Sequence, residues 1–135
     1  MLDAPVQPKL LALGDARLEI IDGRLVKRSA AGFAHHLIGG NIFRALDPYV
    51  MQRQSGLVFF DGMTYWMFSE AAGLKDSFVP DVSFIRAAHI VSMPDPNKPY
   101  PGIPDLAVGV ILPGDDADDV QTKIRTYLAK GVEQV

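Results

Sequence analysis

Pro104-Asp-Leu-Ala-Val-Gly-Val-Ile-Leu-Pro113, followed by Gly114-Asp-Asp-Ala117 and the segment from Asp118 to Lys130, is the stretch whose reading decides the fold. Leu106 to Leu112 is apolar throughout, with Gly109 its only interruption in side-chain bulk, and a run of this length suits a strand covered on both faces. Asp105 stands at its mouth. Pro113 and Gly114 break the run, and Asp115, Asp116, Asp118 and Asp119 then crowd the place where a helix start favours negative charge. Val120, Ile124, Tyr127 and Leu128 recur on one helical face, and Lys130 with Gly131 supplies a stop. Lys123 borders that face, so its amine can lean towards the end of the strand.

Working back towards the N-terminus, Pro80-Asp81 opens a strand read over Phe78 to Arg86, in parallel with Pro104-Asp105. Ala87 to Val91 reads as a short helical turn and Met93 to Pro104 as a proline-rich loop, while Ser69 to Ser77 reads as a loop before the Asp81 strand. Two Asp-Gly pairs signal tight reversals, because both central residues must tolerate positive φ. Asp22-Gly23 joins strands at Arg17–Ile21 and Arg24–Lys27, and Asp61-Gly62 predicts a second hairpin between Leu57–Phe60 and Met63–Phe68. Between them, Phe33, Leu37, Ile38, Ile42 and Leu46 mark a helical stripe. Gly39-Gly40 allows something to approach that helix closely, and Asp47-Pro48 should kink or restart it before Tyr49, Val50 and Met51 continue. Residues 1–16 form an arm without a clear period, and 17–135 form the domain.

The 135 residues, 48% hydrophobic, are enough for one real core and too few for two. With no cysteine there is neither a disulfide framework nor a thiolate metal site. No apolar run is long enough to span a bilayer and the N-terminus does not resemble a signal peptide, so the expectation is a cytoplasmic protein with no membrane partner. The net charge of −3 argues against a strongly basic nucleic-acid coat. A protein that grips phosphate through a bound cation does not need one. Without a Gly-x-Ser-x-Gly turn, and with three histidines of which two are adjacent, serine hydrolysis and zinc catalysis have no support.

The ordered set Leu18-Glu-Ile-Ile-Asp-Gly-Arg-Leu25, Ser29-Ala-Ala-Gly-Phe-Ala-His35 with Ile38, Pro80-Asp-Val-Ser-Phe84, Pro104-Asp-Leu-Ala-Val108, Pro113, Lys123, Tyr127 and Ala129-Lys-Gly-Val132 resembles the Uma-two family, a branch of the PD-(D/E)XK nuclease superfamily. The resemblance implies a restriction-endonuclease-like α/β fold, a mixed β-sheet flanked by helices with an N-terminal hairpin. It also implies a DNA endonuclease dependent on Mg²⁺ or Mn²⁺. Such a cation polarises the phosphate and lowers the pKa of an attacking water, and it prefers carboxylate and water oxygens.

Carried over residue by residue, the resemblance makes Asp81 the metal-binding aspartate and Lys123 the cation beside the phosphate, moved here from strand to helix. Glu19 matches a glutamate of the family's opening motif and could supplement the metal site. His35 matches a histidine at the start of the long helix, and Tyr127 matches a tyrosine of the last one. Asp105, four residues before Gly109 and on the same side of the strand, is a further candidate ligand. Asp81 is expected to add nothing to stability in the absence of metal.

The sequence departs from the family's pattern at Gly109, where members carry Glu in Pro-Asp-Leu-x-Val-Glu-Val, and at Leu112-Pro113, where they carry Ser-Pro. Members also continue into a Trp- and Val-rich strand, whereas this sequence stops at Val135. These departures bring in two other readings: a non-catalytic relative that binds nucleic acid or protein, and a shortened remnant whose open sheet edge pairs with a second copy in a homo-oligomer.

Overall fold

A computed structural model describes residues 18–28, 31–69 and 73–135. The expected arm at 1–16 lies outside them. Strands β1 (Leu18–Ile21) and β2 (Arg24–Lys27) form the first hairpin in the register Ile21↔Arg24, and Asp22 and Gly23 take the expected positive φ values of 50° and 79°. Helix α1 (Phe33–Arg53) leads into β3 (Gly56–Phe60), β4 (Tyr65–Ser69), β5 (Gly73–Phe78) and β6 (Val82–Arg86). A 3-10 turn at Ala87–His89 stands where the short helical turn was expected. Strand β7 (Leu106–Val108) and helix α2 (Ala117–Lys130) complete the chain. One sheet has the order β2-β1-β5-β4 and the other β3-β6-β7. Every ladder is antiparallel, and isolated parallel bridges join Tyr65 to Tyr100 and Leu106 to Gln134. Among the described residues no helix is long and apolar enough to cross a membrane.

The second Asp-Gly pair does not make a hairpin. Asp61 and Gly62 do have φ of 54° and 101°, but Phe60 pairs with Val82 in one sheet while Tyr65 pairs with Phe78 in the other. Turn chemistry reverses the chain locally; the partner of each strand is chosen by longer-range packing. Within the expected Ser69–Ser77 loop lies most of β5. Its Lys75-Asp76 pair hides the strand pattern, yet Asp76 is buried because its carboxylate accepts the Asp22 N–H at 2.9 Å. The strand expected over Phe78–Arg86 is accordingly split at Val79-Pro80-Asp81.

The run from Leu106 to Leu112 is a strand only as far as Val108, and Ile111 is 61% exposed. Among the described residues a short bridge covers its outer side: Ala107 N–H donates to Gln134 O at 3.0 Å and Gln134 N–H to Asp105 O at 3.3 Å. Helix α1 is continuous through Pro48 and turned away from its apolar stripe, so that Phe33 is 85% exposed and Leu37 and Ile38 are also open, while His35, Gly39, Gly40 and Val50 are buried. Gly39 explains the rotation, since a Cβ there would come within 3.3 Å of the Phe60 ring. Helix packing has used the glycine face for close approach.

Helix α2 starts on Asp116, whose side chain accepts the Asp119 N–H at 3.0 Å, and ends on Gly131 at φ 105°. Leu128 is exposed instead of facing inwards, and the helix anchors itself through Tyr127, whose ring meets Phe78 edge-on at 5.0 Å. Ile21, Met67, Phe78, Ala107, Tyr127 and Val132 form one core that fixes α2 across the first sheet and β7.

A candidate active site between the first hairpin and the last helix

Glu19 lies on β1 with its side chain turned inwards, 1% exposed. A buried carboxylate requires donors and positive charge, and Glu19 has both. Its Oε2 accepts the Val79 N–H at 2.8 Å, its Oε1 accepts from Lys123 Nζ at 2.9 Å, and Arg28 Nε stands 3.9 Å from Oε1. The amphipathic register of α2 thus delivers Lys123 to the hairpin across 104 residues of sequence.

Arg28, just after β2, reaches the loop between β7 and α2. Its Nη2 donates to Asp115 Oδ2 at 3.0 Å and approaches Val110 O at 3.5 Å, while its Nε is 3.4 Å from Asp115 Oδ1. The same Asp115 Oδ2 accepts the Leu112 N–H at 2.8 Å. Burial opposes both charges. For Arg28 it is outweighed by the Asp115 hydrogen bond and the fields of Glu19, Asp115 and Asp81, which hold the guanidinium above its usual pKa. For Asp115 it is outweighed by the Leu112 N–H and by Arg28, which keep the carboxyl below the usual range.

Asp81 follows the break after β5. Its backbone N–H donates to Val108 O at 2.8 Å and its Oδ2 accepts the Val110 N–H at 2.6 Å, which places Gly109 directly across from it, one step beyond the Val82↔Val108 pair. Asp81 is therefore also an acceptor for the backbone, contrary to the expectation that it adds nothing to stability. His35, buried on α1, brings Nε2 to 3.0 Å from Asp81 Oδ1. That is ion-pair distance for a protonated ring, but among the described residues neither ring nitrogen makes a hydrogen bond of acceptable angle, so the pair is one of proximity.

A cavity of about 460 Å³ opens against this cluster, with Glu19, Arg28, Gly109, Asp115, Lys123 and Tyr127 among its walls. The Tyr127 hydroxyl is fully buried and has no hydrogen-bond partner among the described residues. Burial raises its pKa well above the ordinary value, and the charges of Glu19 and Asp81 act in the same direction.

The structure thus brings Glu19, Lys123, Asp81, His35, Gly109 and Tyr127 to one region. It does not bring Asp105 there. Phe84↔Leu106 and Val82↔Val108 put Asp105 at the opposite end of the β6–β7 ladder, roughly 13 Å along the strands. There its Oδ1 is 2.7 Å from His89 Nδ1 and its Oδ2 accepts the Arg86 N–H at 2.7 Å. Sequence reasoning missed Arg28 and read Asp115 as one of the acidic residues crowding the start of the last helix. No local pattern marks either, because each is defined by the other.

The residues present do not fit a divalent-metal cage. Among the described residues no three His, Cys, Asp or Glu side chains converge on a common point. The oxygens of Asp81 and Glu19 already face donors or cations of the chain itself, and Gly109 offers no side chain where a second carboxylate would face Asp81.

A family model described as "Uma2: Putative restriction endonuclease" matches residues 8–135. Among solved structures, the fold is similar to that of a protein described as a putative nuclease belonging to DUF820 from Anabaena variabilis, with a TM-score of 0.76 and 18% identity over 95% of this chain and 70% of that one. At that identity the likeness is one of fold. No curated protein matches the chain.

Proposed function

Because the chain belongs to the Uma2 family of restriction-endonuclease-like proteins, we propose that it is a DNA-directed member of that family whose cleft keeps the charged residues of a nuclease site without its paired carboxylates, and that it binds DNA while cleaving it slowly or not at all. The observation that carries this reading is Asp81 facing Gly109 across the β6–β7 ladder. A divalent cation bound in such a fold would polarise the phosphodiester and activate water. With one carboxylate at that position, already holding the Val110 N–H, the described residues do not present the grouped oxygens that retain a reluctantly dehydrating ion.

What remains suits phosphate recognition. Lys27, Arg28 and Lys123 line the cavity and supply donors for phosphate oxygens, although Glu19, Asp115, Asp116 and Asp119 on the same walls leave it no net positive charge. Glu19 orients Lys123, and Asp115 orients Arg28. The acidic side chains on the same walls keep the attraction modest, and a salt-sensitive, weak association is expected.

Fluorescence anisotropy with duplex DNA, run beside supercoiled-plasmid nicking in millimolar Mg²⁺ or Mn²⁺, tests both halves. Binding that weakens with salt, accompanied by little or no nicking, is the expected result. Metal-dependent nicking that disappears in Asp81→Asn would show a competent nuclease, and no DNA binding at low salt would remove the DNA reading.

A further inference from the structure

We propose that the cavity between the first hairpin and α2 receives a single unstacked nucleobase of the bound DNA, with the exposed Lys27 taking the adjoining phosphate. This use of the cavity rests on the DNA reading above and narrows it: the substrate is a single strand or a locally opened duplex rather than a fully paired one.

The charges on the cavity walls are already engaged with one another. Lys123 donates to Glu19 at 2.9 Å, Arg28 forks onto the two oxygens of Asp115 at 3.0 and 3.4 Å, Asp119 pairs with Arg24, and Asp116 caps α2 by accepting the Asp119 N–H. The four carboxylates of the walls outnumber the three cations. A phosphate drawn inside would have to break an enclosed pair and lie beside the carboxylate it released, which is strongly unfavourable. Among the described residues Lys27 is the wall cation without an ion-pair partner, and its side chain is exposed, so a phosphate is held there instead.

A neutral, flat heterocycle meets no such penalty. Val26, Ile111, Val120 and Ile124 give the cavity apolar walls for its faces, and the ion pairs keep unused hydrogen-bonding capacity for its edge. Arg28 Nη1 donates to nothing among the described residues, Lys123 uses one of its three N–H groups on Glu19, and Asp115 Oδ1 receives only the 3.4 Å contact. A base edge carries both acceptors and N–H donors, so it adds to this set without displacing a member. Gly109 stands on the same wall with open space where a side chain would project, and the volume of about 460 Å³ is that of a small-ligand site. Apolar surfaces against the faces and polar groups at the edge are the surroundings that an extruded base requires.

The full chain is titrated, at low salt and without divalent metal, into four fluorescein-labelled DNAs, with binding read by anisotropy: a single strand, the same strand made abasic throughout, a paired duplex, and that duplex carrying one mismatch. Within each pair the phosphates are equal in number, so only the bases differ. The single strand should bind about tenfold or more tightly than its abasic form. The mismatched duplex should bind more tightly than the paired one, because a mismatched base is easier to extrude. Gly109→Phe, which fills the cavity, should erase both differences.

Ile111→Asn, at a side chain 61% exposed and so of little consequence for folding, is the second probe and should shrink both differences. If wild type binds DNA but holds the intact and abasic strands equally, the DNA reading stands and the base site is overturned. Differences that persist unchanged in the folded variants overturn it too. Binding of none of the four DNAs would remove the DNA reading and the base site together.

Discussion

Asp81 brackets Gly109: its backbone N–H binds the carbonyl of Val108 and its side chain binds the N–H of Val110, so the residue between them is held open opposite the carboxylate. This geometry puts position 109 directly across the ladder from Asp81. It also gives Asp81 a structural task that it performs without metal.

Gly109→Glu should fold and bind Mn²⁺ more tightly than wild type, by about tenfold or more. A Cβ at position 109 meets no atom within 4 Å, so the larger side chain has room. Mn²⁺-dependent melting curves of the two proteins provide the comparison. Normal folding with no gain in affinity would place the cation elsewhere.

Asp81→Asn should lower stability by about 1–2 kcal/mol, the difference between a charged and a neutral acceptor for a buried N–H. The carboxylate is 9% exposed and its bond to Val110 is 2.6 Å long, so solvent does little to replace it. Urea denaturation gives the midpoint and slope. An unchanged or higher midpoint would mean that Asp81 is strained in its present role and reserved for a ligand.

Lys123→Met leaves Glu19 buried with the Val79 N–H and only a distant Arg28, at a cost of about 2–4 kcal/mol. Adding Glu19→Gln should recover part of that loss, since the uncompensated charge is then gone. A double-mutant cycle by chemical denaturation reads the coupling. Purely additive losses would contradict a direct pair.

Asp115 should govern part of the acid limb of the stability curve. Burial alone would raise its pKa, but the Leu112 N–H and Arg28 depress the folded value. Its contribution is therefore fully present above the unfolded carboxylate pKa of about 4 and is lost as pH falls through the lower folded value. Asp115→Asn should flatten stability against pH below about 4 relative to wild type. Equal slopes in the two proteins would remove Arg28–Asp115 as the source.

Much of the architecture is carried by short-range signals in the sequence. Asp22-Gly23 could only reverse the chain, Asp116 and Gly131 could only begin and end a helix, and Lys123 sits on the border of that helix's apolar face whatever it meets there. The ordered motifs from Leu18 to Val132 fixed the family, and with it the expectation that Glu19, Asp81 and Lys123 share a site. Tertiary structure decided which strands pair, because Asp61-Gly62 has identical local chemistry whether its flanks join one sheet or two. It also decided which side of α1 is buried, where Gly39 rather than the apolar stripe permits close packing against Phe60. Asp105 and Asp81 carry the same Pro-Asp signature, yet antiparallel pairing of β6 and β7 sends them to opposite ends of one ladder. Arg28 and Asp115, 87 residues apart, acquire their role only from each other, since a buried charge is stable only where the fold delivers its counter-charge.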